Sequence, residues 1–223
     1  MKLSILYEDN HLLIIDKPAG LATMGAPADT PSLLTEAKAY IKRKYQKPGN
    51  VYLGVVSRLD APVTGAVVIA RTSKAASRLS EQFRQGQVEK CYWAVTESPL
   101  EPPEGVCENW VRKDERHRKM HISHPDHPQA QQARLRYRTL RQEKIGTLVE
   151  VHLETGRKHQ IRLQLSHHGA PILGDRKYKA QRAFSAGIAL HSRRVALTHP
   201  VQKTPLVLEA PLPESWRRLG IGS

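Results

Sequence analysis

Short β-favouring runs alternate irregularly with a few helical stretches, and this pattern limits the possible fold more than any other feature of the chain. Examples are VYLGVV at 51–56, AVVIA at 66–70 and QVEKCYWAVTE at 87–97. A repeating β-α-β rhythm, which would indicate a parallel sheet, is not present. The sequence therefore predicts an α+β fold with a mixed, largely antiparallel central sheet flanked by helices. No segment has the composition of a linker, so we expect a single domain over residues 1–223.

Capping residues predict where the helices begin and end. Thr30, followed by a proline, has the features of an N-cap and predicts that the first helix opens there. Thr72 or Ser73 can cap a second helix, and Gly86 lies where a left-handed helix stop is expected. A short third helix is expected after the turn at Gly156.

Charge and composition narrow the class of partner. The chain has 35 Lys and Arg residues against 21 Asp and Glu residues, for a net charge of +14. Such an excess favours a polyanion, most simply nucleic acid. Acidic residues at Glu8, Asp9 and Asp16 interrupt the amino-terminal segment, which excludes a signal peptide or membrane span there. The two cysteines form neither a disulfide framework nor a CxxC pair, so we expect a cytoplasmic protein. No basic amphipathic helix with a bulky apolar face stands out, so we expect no membrane partner.

One acidic residue stands out in SRLDAPVTGAVVIART, residues 57–72. Asp60 precedes a Pro/Thr/Gly turn, and an aspartate in this position commonly caps backbone N–H groups. A nucleophile is the other interpretation, and it requires a cation to keep the carboxylate ionised in a dry cleft. Arg58, two residues away, lies on the same side of an extended chain. The local pattern leaves both interpretations open.

A second basic stretch, ETGRKHQIRLQLSHHGAPILGDRKY, covers residues 154–178. His159 and Arg162 fall in the first turn of the expected helix, where basic side chains suit a phosphate or a carboxylate. An ordinary basic amphipathic helix with Ile161 and Leu165 inside explains the stretch equally well.

Taken together, these motifs resemble the RluA-type family of RNA pseudouridine synthases. The order RLD-x-x-x-[S/T]-G, K-x-Y, TGR-x-HQIR and H-x-G-x-PI-x-GD-x-x-Y is found along this chain, after ILYEDNHLLIIDKPAGL near its start. The resemblance spans about residues 5–218 and implies the pseudouridine synthase fold. It implies an isomerase that breaks the N1–C1′ bond of a uridine, turns the base and joins C5 to C1′, without metal or cofactor.

The resemblance also assigns roles to particular residues. Asp60 corresponds to the catalytic nucleophile, and Tyr92 to the ring that stacks on the base and is a candidate for removing the C5 proton. Arg162 corresponds to the charge partner of Asp60, and Arg58 to the side chain that takes the place of the flipped uridine. Further substrate-binding residues implied by the motifs are Lys90, Arg157, His159 and Gln160.

The implied partner is structured RNA, tRNA or rRNA or both, bound by phosphate contacts from basic stretches at 41–47, 112–119, 134–141 and 176–182. We expect a monomer with no obligatory protein partner and no amino-terminal S4 domain. The chain departs from the family pattern at Ser57, Val63, Lys158 and Lys179, where relatives usually have His, Thr, Thr and Gly, respectively.

Two other functions compete with this one. The first is a catalytically inactive RNA-binding or ribosome-associated protein on the same scaffold, and the intact set of Asp60, Tyr92 and Arg162 argues against it. The second is a metal-dependent RNA-processing enzyme that uses the histidines of 117–127. Their spacing matches no closed zinc site, which argues for a solvated loop.

Overall fold

The computed structural model describes residues 2–27 and 29–221, and it contains eleven strands and four α-helices. In chain order the elements are β1 Ser4–Glu8, β2 Leu12–Lys17, α1 Leu33–Lys44, β3 Gly54–Val55, β4 Thr64–Ala70, α2 Ser73–Arg84, β5 Glu89–Thr96, β6 Glu104–Asp114, β7 Lys119–Ser123, β8 Gln131–Glu143, β9 Gly146–Leu153, α3 Gln160–His167, a 3-10 turn Arg176–Tyr178, β10 Leu190–Thr198, β11 Pro205–Glu209 and α4 Glu214–Arg217.

The chain divides into two compact units. The first unit contains the described residues of 1–89 and 192–211, and the second contains those of 90–191 and 212–223. Each unit therefore combines two separate segments of sequence. The assignment of residues 1–223 to one domain stays a prediction.

The first unit is built on the strand order β1-β2-β4-β10, with β3 paired to β4 and β11 paired to β10. Strands β2 and β4 are antiparallel and almost wholly buried, and their register pairs Lys17 with Gly65. Helix α2 contributes Ala75 and Leu79 to the apolar cluster formed by these strands. This continuous burial explains why both strands read as uninterrupted apolar runs rather than as alternating patterns.

The two predicted helix caps had different outcomes. Thr72 is the N-cap of α2, as predicted, and its side chain accepts a hydrogen bond from the backbone N–H of Ala75. The cap of α1 was predicted at Thr30, but it lies two residues later at Ser32. Ser32 and Thr35 hydrogen bond reciprocally as a capping box, which satisfies two backbone donors where a lone threonine satisfies one.

The second unit has the strand order β5-β9-β8-β6-β7, and its paired strands are antiparallel. The register aligns Tyr92 with Val151 and Val151 with Tyr137, so these three side chains share one face. Helix α3 packs on this face, where Leu163 joins a buried cluster with β6, β7 and β8 residues. Arginines of β8 alternate onto the opposite face.

The predicted α+β class with mostly antiparallel strands is confirmed. The longest α-helices have twelve residues, and none of the helices in the described part of the chain is long and apolar enough to cross a bilayer.

Candidate active site

Asp60 lies in the connection between β3 and β4, at the start of a turn. Its carbonyl accepts a hydrogen bond from the backbone N–H of Val63 at 3.0 Å, and its side chain is partly exposed. The preceding Leu59 is buried and exchanges two hydrogen bonds with the Thr23 hydroxyl, at 2.7 and 3.1 Å. The chain therefore turns directly after Asp60, next to a firmly held residue, and a capping role for the Asp60 carboxylate stays a prediction.

Lys17 holds the other side of this turn, and sequence reasoning did not select it. Its side chain is fully buried, and the ammonium donates to the carbonyls of Pro18 and Leu21 at 2.8 Å and of Ala61 at 3.1 Å. Burial lowers the pKa of Lys17 to about 8, although the charges of Asp60 and Asp16 oppose this change. The sequence feature that could have identified Lys17 is a lysine at the end of an apolar strand, directly before Pro-Ala-Gly.

Ser57, the departure from the family pattern beside Asp60, has a clear structural role. Its hydroxyl accepts a hydrogen bond from the backbone N–H of Val68 at 2.8 Å, which joins the loop to β4. Arg58 is exposed. The serine therefore anchors the chain directly before the exposed Arg58 and three residues before the partly exposed Asp60.

Gly65 is required by close backbone contact at the start of β4. Its φ of +108° lies in a region that favours glycine, and a Cβ atom there would lie 2.3 Å from the carbonyl oxygen of Ser192. No side chain fits this position without moving one of the two strands. The glycine of the RLD motif therefore sets how closely β4 and the segment at 192 approach.

In the second unit, Lys90 and Tyr92 project from β5, the strand predicted at 87–97. Tyr92 is partly exposed, and it lies on the sheet face that α3 covers. Lys90 is half-buried, and burial lowers its pKa.

Arg162 in α3 is buried and forms a two-point ion pair with Asp175. Its Nε and one terminal nitrogen donate to the two carboxylate oxygens at 2.6 and 2.8 Å, and both side chains are almost inaccessible. The guanidinium also lies 5.2 Å from the ring centroid of Tyr178, within cation–π range. The predicted pairing of Arg162 with Asp60 stays a prediction, because these two residues belong to different units.

Tyr178 links three parts of the second unit, and together with Asp175 it was missed as a site residue. Its hydroxyl oxygen accepts from the backbone N–H of Met120 at 2.9 Å and lies 2.8 Å from Nδ1 of His159. His159 has a left-handed backbone conformation with φ of +52° and serves as the N-cap of α3. The sequence feature that could have identified both residues is the GD-x-x-Y spacing, which places Asp175 and Tyr178 one 3-10 turn apart.

Gln160 and Arg157, both predicted to bind substrate, make structural contacts around the loop before α3. The buried Gln160 amide accepts from the hydroxyl of Thr155 and the backbone N–H of Arg157, and it donates to the Arg134 carbonyl at 3.1 Å. Arg157 donates from Nε to the Gln132 carbonyl at 2.9 Å. A substrate contact by either residue stays a prediction.

Lys179, another departure from the family pattern, has a φ of +72°. This is the left-handed region that glycine adopts without steric cost, which explains why glycine suits the position after the tyrosine. The departure therefore changes local backbone strain and leaves the contacts of Tyr178 in place.

The histidine stretch at 117–127 forms local pairs with acidic residues. His117 and His121 approach the same Asp114 carboxylate oxygen at 2.8 and 3.3 Å, and His124 approaches Asp126 at 3.0 Å. Hydrogen bonds from His117 lower the pKa of Asp114 to about 2. Within residues 2–27 and 29–221, the three metal-ligand atoms that lie close together belong to residues of β5 and β9, and not to this histidine stretch.

Comparison with known proteins identifies the family. A family model described as RNA pseudouridylate synthase matches residues 11–167. The chain is 34% identical to the uncharacterized RNA pseudouridine synthase YhcT of Bacillus subtilis, over 98% of this chain and 71% of that protein. It is 32% identical to ribosomal large subunit pseudouridine synthase D of Xanthomonas campestris, over 97% of this chain and 68% of that protein.

A solved structure agrees with both sequence comparisons. Human RNA pseudouridylate synthase domain containing 4 superposes with a TM-score of 0.79 at 29% identity, over 97% of this chain and 93% of that chain. The region that the family model matches includes the Asp60 turn, the strand of Tyr92 and the whole of α3. The chain therefore belongs to the RNA pseudouridine synthase family, whose members are isomerases that convert uridine to pseudouridine in RNA.

Proposed function

We propose that this protein converts a specific uridine of structured tRNA or rRNA to pseudouridine, with Asp60 as the nucleophile. The observation that carries the proposal is the construction of the Asp60 turn. A buried lysine, a buried threonine and a glycine without room for a side chain hold the turn, yet Asp60 at its start is partly exposed. A turn that served only to reverse the chain would not need this support.

The proposed reaction is an isomerisation, so no atoms are gained or lost overall. Asp60 assists cleavage of the N1–C1′ bond, either by bonding to the ribose or by promoting elimination to a glycal. The uracil then turns, C5 bonds to C1′, and the proton on C5 is lost while N1 gains one. Tyr92 is proposed to stack on the base and to help remove the C5 proton, and Arg162 to act as the charge partner.

The target uridine must leave its base stack, because its C5 and C1′ atoms are not accessible within a helix. Arg58 is proposed to fill the vacated space, and its exposed position beside the Asp60 turn supports this role. The net charge of +14 supports phosphate contacts around the target. We further propose that the enzyme acts in the cytoplasm as a monomer, and its two buried cysteines, which form no disulfide, agree with a reducing compartment.

Loss of the C5 proton provides a direct assay. RNA from a strain lacking the protein, labelled with tritium at uridine C5, is incubated with purified enzyme, and released tritium is counted. Carbodiimide labelling and primer extension on the same RNA then locate the modified uridine. We expect Asp60→Asn to lower the rate by more than about a thousandfold.

Asp126→Asn is the matched control, because Asp126 is an exposed aspartate of the histidine loop, and it should keep the wild-type rate. Asp60→Asn should also melt near the wild-type temperature and still bind RNA. Equal tritium release by wild type and Asp60→Asn would exclude the nucleophile. RNA binding without tritium release by the wild type would favour the inactive RNA-binding alternative.

A further inference from the structure

Three side chains with metal-ligand atoms meet on the second unit, on the sheet face opposite Tyr92. Cys91 and His152 are direct cross-strand partners in β5 and β9, and Glu150 lies two residues before His152 on the same face. Their ligand atoms all lie within 4.8 Å of one another. Among the residues that the structure describes, this is the group of three His, Cys, Asp or Glu side chains whose ligand atoms lie this close together.

The spacing is close to that of a tetrahedral metal site. Bond lengths of about 2.0 to 2.3 Å at tetrahedral angles place ligand atoms roughly 3.3 to 3.8 Å apart. Nε2 of His152 and Oε1 of Glu150 are already 3.3 Å apart. The Cys91 sulfur lies within 4.8 Å of both of these ligand atoms.

The carboxylate of Glu150 is held in place by neighbouring donors. Arg138 donates to it at 3.1 Å from β8, and the Trp93 side chain also hydrogen bonds to it. A ligand carboxylate that is oriented by hydrogen bonds from residues outside the ligand set is typical of metal sites.

We propose that Cys91, Glu150 and His152 bind one thiophilic divalent cation of the Zn²⁺ class. Thiolate, imidazole and carboxylate are the protein ligands that Zn²⁺ uses. The Cys91 side is buried and the His152 side is 41% exposed, so the metal enters past His152 and keeps a fourth position for water. On binding, the Cys91 thiol loses its proton to solvent, so affinity increases with pH.

The probe for this site is Co²⁺, because a cobalt–thiolate bond produces a charge-transfer absorption band. Reduced full-length protein, stripped with a chelator, is titrated with Co²⁺ and then with Zn²⁺. We expect one Co²⁺ per chain, a thiolate band that Zn²⁺ abolishes, and loss of that band in Cys91→Ser. His152→Ala should weaken binding by more than about tenfold.

Two matched controls separate the site from general binding by thiols and histidines. Cys107→Ala removes the other buried cysteine, which lies on the opposite sheet face, and His121→Ala removes a histidine outside the group. Both should bind Co²⁺ like the wild type. Because the His152 side chain is partly exposed, His152→Ala should fold even if Cys91→Ser is destabilised, and circular dichroism checks both. Absence of a thiolate band in the wild type, or an unchanged band in Cys91→Ser, overturns the proposal.

Discussion

At the scale of single residues, Lys17 shows how the Asp60 turn is held. Its ammonium occupies a fully buried position and satisfies three backbone carbonyls, one of them from the residue that follows Asp60. A buried lysine is rare unless its charge and its hydrogen bonds are compensated. Here the compensation comes from the carbonyls and from the nearby charges of Asp16 and Asp60.

We expect Lys17→Met to lower the free energy of unfolding by about 3 kcal/mol, because the buried carbonyls lose their donor while the apolar volume is kept. Urea denaturation followed by circular dichroism measures the change. Lys47→Met, at an exposed lysine near the end of α1, is the control and should unfold like the wild type. If Lys17→Met were as stable as Lys47→Met, the carbonyl contacts would have no structural importance.

At the scale of elements, α3 is joined to β7 through one tyrosine. Tyr178 accepts a hydrogen bond from the Met120 backbone in β7, bonds to His159 at the α3 N-cap and lies between two cations. Lys119 and Arg162 are 4.9 and 5.2 Å from its ring centroid. The position of Arg162 therefore depends on the tyrosine as well as on Asp175.

Tyr178→Phe tests this connection, because it keeps the ring and its cation contacts but removes the hydroxyl. We expect a loss of about 1 to 2 kcal/mol in the free energy of unfolding, since the buried Met120 N–H loses its acceptor. Hydrogen exchange should report faster exchange at the Met120 amide. Tyr52→Phe, at an exposed tyrosine, provides the control for removing a hydroxyl. Unchanged exchange at Met120 in Tyr178→Phe would contradict the assignment.

At the scale of the whole molecule, the positive charge is the property most relevant to RNA. The excess of 35 basic over 21 acidic residues is spread along the chain, and several arginines of β8 are already paired with glutamates. Exposed cations of the β6–β7 turn, such as Arg116 and Arg118, lie in the stretch predicted at 112–119 to contact phosphates.

We expect RNA affinity to fall at least ~tenfold between roughly 50 and 200 mM salt, because each phosphate contact releases counterions. The double variant Arg116→Gln/Arg118→Gln removes two phosphate contacts and should reduce the slope of log affinity against log salt by about 1.4 to 1.8. Lys74→Gln/Lys203→Gln, which removes two exposed lysines outside the basic stretches, should leave the slope unchanged. Filter binding measures all three proteins, and equal slopes would exclude phosphate contacts at the β6–β7 turn.

The sequence alone determined the α+β class, the strand of Tyr92 and the family, and it narrowed the α2 cap to Thr72 or Ser73. These depend on local backbone preference, on periodicity and on motifs that are continuous in the chain. It misplaced the α1 cap, because Thr30 and Ser32 are both good caps and only the contact with Thr35 separates them.

The tertiary structure alone decided the roles of Lys17, Ser57, Asp175 and Tyr178. Each acts through partners that are distant in sequence or through backbone groups, and a sequence pattern does not show which way these groups point. The convergence of Cys91 with Glu150 and His152 has the same origin, since strand register places residues about sixty positions apart side by side. The sequence specifies which chemical groups are present and their local backbone preferences, but the distances between the groups of a site are set only when the strands pair.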